Sequence, residues 1–405
     1  MKKRYLSLTH ELCERAILDA YRKKWKRRDY AATIEKYGGV DRVKIKKEAE
    51  SGAWNLRLEA VHSVALEMEQ RVEDLLSGDA PDLDLDPVKT FYRIDGISMK
   101  RRELSSCCPL HQCFSHLAVL ALAPLFRSRL YPWQYASLPK KGQVKLKQQV
   151  EKWLRRKNLG IRHAIKLDVK SAYKSTKHEM VMKLLRKDIP ANAWVMPVVL
   201  CLMQMSGNGG LLIGGYLEAW LFNLVASYML AKALSYRKVR RGEGRTLVVR
   251  AVNYADDFAL LGRRWADIQS AANKLTKWSA EELGLMIKPE RSRVDFLTAA
   301  DEHARRRCAG AARGCQGLDM AGFVMHRTYT TIRAKIYVRA RRQYLRAQKD
   351  IDETGRVKLW RARKLISYNG YFKRTKSRKA QERLDQKRLV KAARCTVSAA
   401  MRRSI

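Results

Sequence analysis

The sequence predicts an α+β fold, and three stretches carry that prediction. Thr246 to Gly262, TLVVRAVNYADDFALLG, sets two runs of β-branched and apolar residues on either side of Ala255-Asp256-Asp257, the pattern of a hairpin with two carboxylates at its tip. His163 to Ser175, HAIKLDVKSAYKS, is a short apolar strand that ends at Asp168 and runs into a helix. Both ends of the chain are helical in period: Leu8, Leu12, Ala16, Ile17 and Ala20 share one face near the start, and a strongly basic helical region follows residue 330.

Taken singly, two adjacent aspartates are more often a solvated turn than a site. Set between buried strands they need a cation, and a divalent metal is one that suits them. A strand-end aspartate beside a hairpin-tip aspartate gives the two-metal arrangement, with ions roughly 3.5–4 Å apart, that stabilises the attacking and leaving oxygens of an in-line displacement. Nucleotide polymerases work by that chemistry.

On these residues the chain resembles the reverse transcriptases of prokaryotes. LDVKSAY is similar to that family's first carboxylate motif, and YADD to its second, which commonly reads Y-x-D-D. The resemblance spans about residues 90–375 and implies a right-hand polymerase with an antiparallel palm sheet, helical fingers and a helical, basic thumb. It divides the chain into an N-terminal helical region (1–90), fingers (91–160), palm (161–329) and thumb (330–405). By the same resemblance Asp168, Asp256 and Asp257 are the catalytic acids; Asp168, Asp256 and the backbone carbonyl of Val169 would hold Mg²⁺, with Asp257 in support. The implied partners are dNTPs, an RNA template and the DNA product.

Composition is consistent with this. A chain of 405 residues, 46% of them hydrophobic, can bury a full core, and a formal net charge of +43 at pH 7 predicts a polyanionic partner held through its phosphates. No run reaches the apolar length of a membrane span, and MKKRYLSLTHELCERA lacks the continuous apolar core of an export signal, so a cytoplasmic location is expected. The eight cysteines are expected to be reduced. Neither Cys107, Cys108, His111 and Cys113 nor His303, Cys308, Cys315 and His326 has the paired C-x-x-C spacing of structural zinc.

Along the chain, helices are predicted over Leu8 to Trp25 and Trp54 to Leu76, and the acidic, proline-flanked DAPDLDLDP from Asp79 to Pro87 reads as a linker. FYRIDGISM is strand-like, and a helix is expected from Leu110 to Phe126. The order of Pro124-Leu125-Phe126, Tyr135, Pro139 and Gly142 resembles the family's fingers, which makes Lys100 and Arg102 candidates for gripping the triphosphate. Tyr173 matches the family's aromatic steric gate, although spacing alone reads it as a core aromatic. The glycine-rich SGNGGLLIGGYLEAW resembles the primer and template loop, with Gly214 and Gly215 at its core. Glu218-Ala219-Trp220 then departs from the family's S-Q and sets a carboxylate where a template strand would be repelled.

A helix is read from Trp265 to Leu285, followed by the strand MIKPERSRV. Its Lys288 and Arg291 both stand where the family carries a cation for the leaving pyrophosphate; Lys288 is the better proton donor by chemistry and Arg291 the better match in alignment. Thr298 to Gln316 reads as an insertion, and Met320 to Val324, with Gly322 and Phe323, resembles the primer grip. Tyr337, Tyr344, Trp360, Tyr368 and Tyr371 lie among the basic residues of the last region; Trp360 and Tyr368 are expected in its core. No nuclease or maturase domain is expected to follow.

Stand-alone members of this kind fall among retrons, diversity-generating retroelements and antiphage defence systems. The I-G-G-Y form and the missing S-Q favour defence, with DNA made on a dedicated non-coding RNA, and an accessory protein or homo-oligomer as further partners. Diversification of a target gene is the alternative, as is a template-independent polymerase or a nucleic-acid-binding scaffold.

Overall fold

The computed structural model describes residues 4–94, 101–207, 209–240, 242–296 and 317–402. Helices and small antiparallel sheets alternate in it, which agrees with the α+β class. The strands are β1 (Lys89–Ile94), β2 (Arg101–Ser106), β3 (His163–Asp168), β4 (Arg237–Arg240), β5 (Glu243–Thr246), β6 (Arg250–Tyr254), β7 (Asp257–Gly262), β8 (Ser292–Asp295), β9 (Leu318–Met320), β10 (Phe323–Met325) and β11 (Thr330–Ile332). The central sheet has the order β6-β7-β3-β8 with every pairing antiparallel. A three-stranded sheet runs β11-β10-β9, and β1-β2 and β4-β5 are isolated ribbons.

The central sheet is covered on both faces, and β3, β6 and β7 each serve two cores. Successive side chains point to opposite faces. Ile165 and Leu167 of β3, Ala251 of β6 and Phe258 and Leu260 of β7 join the larger core. There they meet helices Tyr216–Ser235 and Trp265–Leu283, and the same core extends through Pro109–Ala121 to the N-terminal helices. Ala164, Val252, Ala259, Leu261 and Val294 join the second core, which holds helix Gln143–Arg155, the three-stranded sheet and the C-terminal helices.

The N-terminal region forms helices His10–Tyr21, Arg28–Gly38, Arg42–Ser51 and Asn55–Ser77. The Thr9 hydroxyl accepts from the Leu12 amide at 3.2 Å and caps the first of them. The stretch read as a linker is irregular, yet it is pinned: Leu83 is buried, and the Arg71 guanidinium donates to the Leu83 carbonyl at 2.9 Å.

Three readings need correction. The helix expected from Leu110 to Phe126 is two, Pro109–Ala121 and Ala123–Arg129, bent by 56°. Pro124 lacks an N–H and its ring excludes the carbonyl four residues back, so the first helix cannot run through it. The hairpin begins at Arg250 and not Thr246, because Thr246 pairs with Arg237 in the β4-β5 ribbon. Trp360 is 47% exposed, with the Arg361 and Lys364 cations 4.7 and 4.9 Å from its ring, while Ala362, Leu365, Tyr368 and Phe372 carry the buried face of helix Leu359–Phe372. Tyr344, Tyr368 and Tyr371 are buried.

No single helix among the described residues is long and apolar enough to cross a membrane; the bent pair from Pro109 to Arg129 passes only when joined, and most of its apolar side chains are in the core.

Phe258 fills the sheet's larger core almost without exposure. Phe258→Ala is expected to lower the unfolding free energy by about 3–5 kcal/mol, read from urea denaturation midpoints.

Candidate functional site

The two acidic segments meet at one end of the central sheet. Register sets Asp168, the last residue of β3, directly opposite Asp257, the first of β7. Tyr254 pairs with Asp257, leaving Ala255 and Asp256 as a two-residue turn with Ala255 at φ 52°. That left-handed value costs an alanine roughly 1 kcal/mol. The turn is held from beneath: the carboxamide of Asn253, fully buried, donates to the Ala255 carbonyl at 2.6 Å. The Val169 amide donates to the Asp256 carbonyl at 3.1 Å, which ties the end of β3 to the hairpin tip.

Two lysines neutralise two of the three acids. Lys166 Nζ lies 2.9 Å from Asp257 Oδ1, and Lys288 Nζ lies 2.7 Å from Asp168 Oδ1. Lys288 is brought there by backbone pairing, its amide donating to the Asp168 carbonyl at 2.9 Å while Val169 bridges Ile287. Burial raises the Asp257 pKa; Lys166 works against that, and Asp256 and Asp168 reinforce it. The hydrogen bond to Asp168 raises the Lys288 pKa. Asp256 is exposed and has no ion-pair partner among the described residues.

A hard divalent cation fits part of this set. Asp256 is unpaired, and no hydrogen bond to the Val169 carbonyl is found among the described residues, so both oxygens are open to a ligand. Such oxygen donors suit Mg²⁺. Lys288 occupies Oδ1 of Asp168 and Lys166 occupies Oδ1 of Asp257.

Tyr173 follows Ser171, which is left-handed at φ 48°, and its ring stacks on Phe222 with centroids 5.0 Å apart. Burial, with Glu218 and Asp256 adding to it, pushes the phenol up to about 12, so it stays protonated. The glycine loop docks on β2, where the Ser105 amide donates to the Ile213 carbonyl at 3.0 Å. Gly214 has φ 104°, a backbone conformation that favours glycine, and a Cβ on Gly215 would come within 1.9 Å of Glu218 Oε2 and force that buried side chain to move. Lys174 Nζ joins the same ribbon through Glu103 Oε2 at 2.6 Å. Arg102 lies in β2 opposite Arg93, and Lys100 lies outside the described residues, as do Thr298 to Gln316 with His303, Cys308 and Cys315.

Several expected contacts are absent or changed. Arg291 does not reach the acids: its guanidinium is bound to Asn273 Oδ1 and, at 2.9 Å, to Thr276 Oγ1 of helix Trp265–Leu283. Glu218 is fully buried at 0% exposure and so presents no charge to a passing strand; burial lifts its pKa to about 7, and neither oxygen has a hydrogen-bond partner among the described residues. Gly322, at φ 86°, sits under Tyr371, and Phe323 is a core residue 5.2 Å from the same ring. Sequence reasoning did not find Lys166 or Asn253. Lys166 could have been suspected as a charge in an apolar strand two residues before Asp168; nothing local marks Asn253.

A scan against protein-family models finds no match, and no curated protein matches the sequence.

Two titrations follow from these environments. Lys166→Met leaves the half-buried Asp257 without its cation. The Asp257 pKa is expected to rise further by carboxyl NMR; because the native state holds that proton more tightly than the unfolded chain, the variant loses stability as pH rises from the unfolded carboxyl value through this raised pKa and recovers it as pH falls. Glu218 is a raised acid of the same sign. Its ionisation costs stability as pH climbs from its unfolded value through about 7, so Glu218→Gln is expected to gain most over the parent at alkaline pH, by thermal melting across a pH series.

Proposed function

We propose that this chain is an RNA-directed DNA polymerase, a reverse transcriptase, that joins dNTPs to a hydroxyl by a two-metal mechanism. The observation that supports it best is the pairing of Asp168 with Asp257 at the end of one antiparallel sheet, with Lys288 on the first acid. In this reading the central sheet is the palm, the segment around β1 and β2 belongs to the fingers, and the basic helices from Ala334 onward form the thumb.

Mg²⁺ at Asp168, Asp256 and the Val169 carbonyl would lower the charge barrier to attack on the α-phosphate and stabilise the leaving oxygen. With Mg²⁺ bound, Asp168 would exchange its lysine partner for the ion, and Asp257 would stay with Lys166 to hold the turn. Lys288, released at the same place, is the group that can give a proton to departing pyrophosphate; Arg291 is both engaged elsewhere and too weak an acid. Tyr173, braced on Phe222, would close the sugar site against a 2′-hydroxyl. Arg102, with Lys100, would hold the triphosphate, Gly214 and Gly215 would flank the template, and Gly322 and Phe323 the primer end. The formal charge of +43 supplies the attraction for the nucleic-acid backbone. Synthesis on a dedicated non-coding RNA for antiphage defence is proposed on the resemblance alone.

The test is to purify the protein with the RNA it retains, add Mg²⁺ and dNTPs, and sequence both RNA and product. DNA complementary to a defined part of that RNA is expected. Product unrelated to the RNA would overturn templating, and absence of product would overturn the polymerase reading. Asp256→Ala, at an exposed turn, is expected to abolish synthesis while RNA binding persists and stability changes by no more than about 0.5 kcal/mol.

A further inference from the structure

Far along the chain from the aspartates, two helices bring four chemistry-bearing side chains together. His10 and Glu14 stand one turn apart on His10–Tyr21, and His62 and Glu69 lie two turns apart on Asn55–Ser77. His10 Nε2, His62 Nδ1 and Glu14 Oε1 form a triangle with edges of 2.8, 3.3 and 3.5 Å. Among the described residues it is the one group of three His, Cys, Asp or Glu side chains whose ligand atoms all lie within 4.8 Å of one another.

Those edges match a coordination polyhedron. Zinc bonds to imidazole nitrogen and carboxylate oxygen of about 2.0–2.2 Å put tetrahedral ligand atoms about 3.3–3.5 Å apart. Two of the three edges already have that length, and the third needs the imidazoles to part by about half an ångström. Glu69 Oε2 lies 3.0 Å from His10 Nδ1, where it can accept a hydrogen bond from that nitrogen and leave the Nε2 lone pair to face the triangle. A carboxylate behind a ligating histidine does the same work in zinc sites, orienting the ring and raising its basicity. His62 is exposed and the other two are half-buried, so an ion can enter from solvent.

We propose that His10, Glu14 and His62 bind one zinc-class divalent cation, with Glu69 orienting His10 and water in the fourth position. The ion clamps the first helix to the fourth. The site is independent of the aspartate cluster, since Mg²⁺ prefers oxygen donors and does not compete for a two-imidazole face.

The experiment is calorimetric titration of untagged, chelator-treated full-length protein with Zn²⁺ at neutral pH, with Co²⁺ as the spectroscopic probe. One equivalent is expected, with a Kd of about 1 μM or tighter and the strong visible absorption of four-coordinate cobalt. Zn²⁺ should also raise the melting temperature. His62→Ala and Glu14→Gln should each lose the equivalent and the melting shift while retaining the parent helical circular dichroism. Glu69→Gln should weaken binding by about 10–100-fold, and Asp256→Ala should leave it unchanged. No equivalent in the parent, or one that survives His62→Ala or vanishes only in Asp256→Ala, would overturn the site.

Discussion

The antiparallel register between β3 and β7 is the constraint on which the rest of the molecule depends. Because the side-chain period of a strand is two, a slip of one residue would turn every side chain of β3 to the opposite core. Ile165 and Leu167 would leave the larger core, and Lys166 and Asp168 would enter it. A sheet covered on both faces cannot accommodate that, so burial itself fixes where Asp168 stops relative to Asp257. The same cause places Lys166 on the Asp257 side and β8, with the bridge at Ile287, where Lys288 reaches Asp168. Hydrophobic pattern and acidic cluster are therefore one arrangement, not two.

Electrostatics then decides how the acids differ. Three carboxylates at one sheet end repel one another, and in a chain of formal charge +43 the remedy is local. Asp257, half-buried, has its pKa raised by burial and is held by Lys166; Asp168 is partnered by Lys288; Asp256 is exposed and has no ion-pair partner among the described residues. The three acids therefore run from fixed to open along one sheet end. Glu218 shows the opposite treatment of a carboxyl. It is buried with no hydrogen-bond partner among the described residues, and its pKa, raised to about 7, leaves it neutral below that pH.

Much of this was legible in the chain. The alternation in HAIKLD and RAVNYADDFALLG gave both strands and the turn between β6 and β7, because period-two burial leaves its mark in composition. Helix ends were less legible: Pro124 splits a helix that its apolar content suggested was continuous, and the aromatic Trp360 faces solvent because the buried face of its helix was already filled. The glycines at 214 and 215 stood out in the sequence, but their reason, contact with Glu218 and with β2, is a matter of neighbours distant or folded back in space.

By itself the sequence determined the alternation of strands, the acids at their ends and the extreme positive charge, all of which are properties of residues in order. Only the tertiary structure decided which cation met which acid. Lys288 and Arg291 are three positions apart and both cationic, yet one reaches Asp168 and the other binds Asn273 and Thr276, because the segment leading into β8 turns them toward different neighbours. It alone brought His10 and Glu14 to His62 and Glu69, since two helices must pack before their side chains can share a point in space.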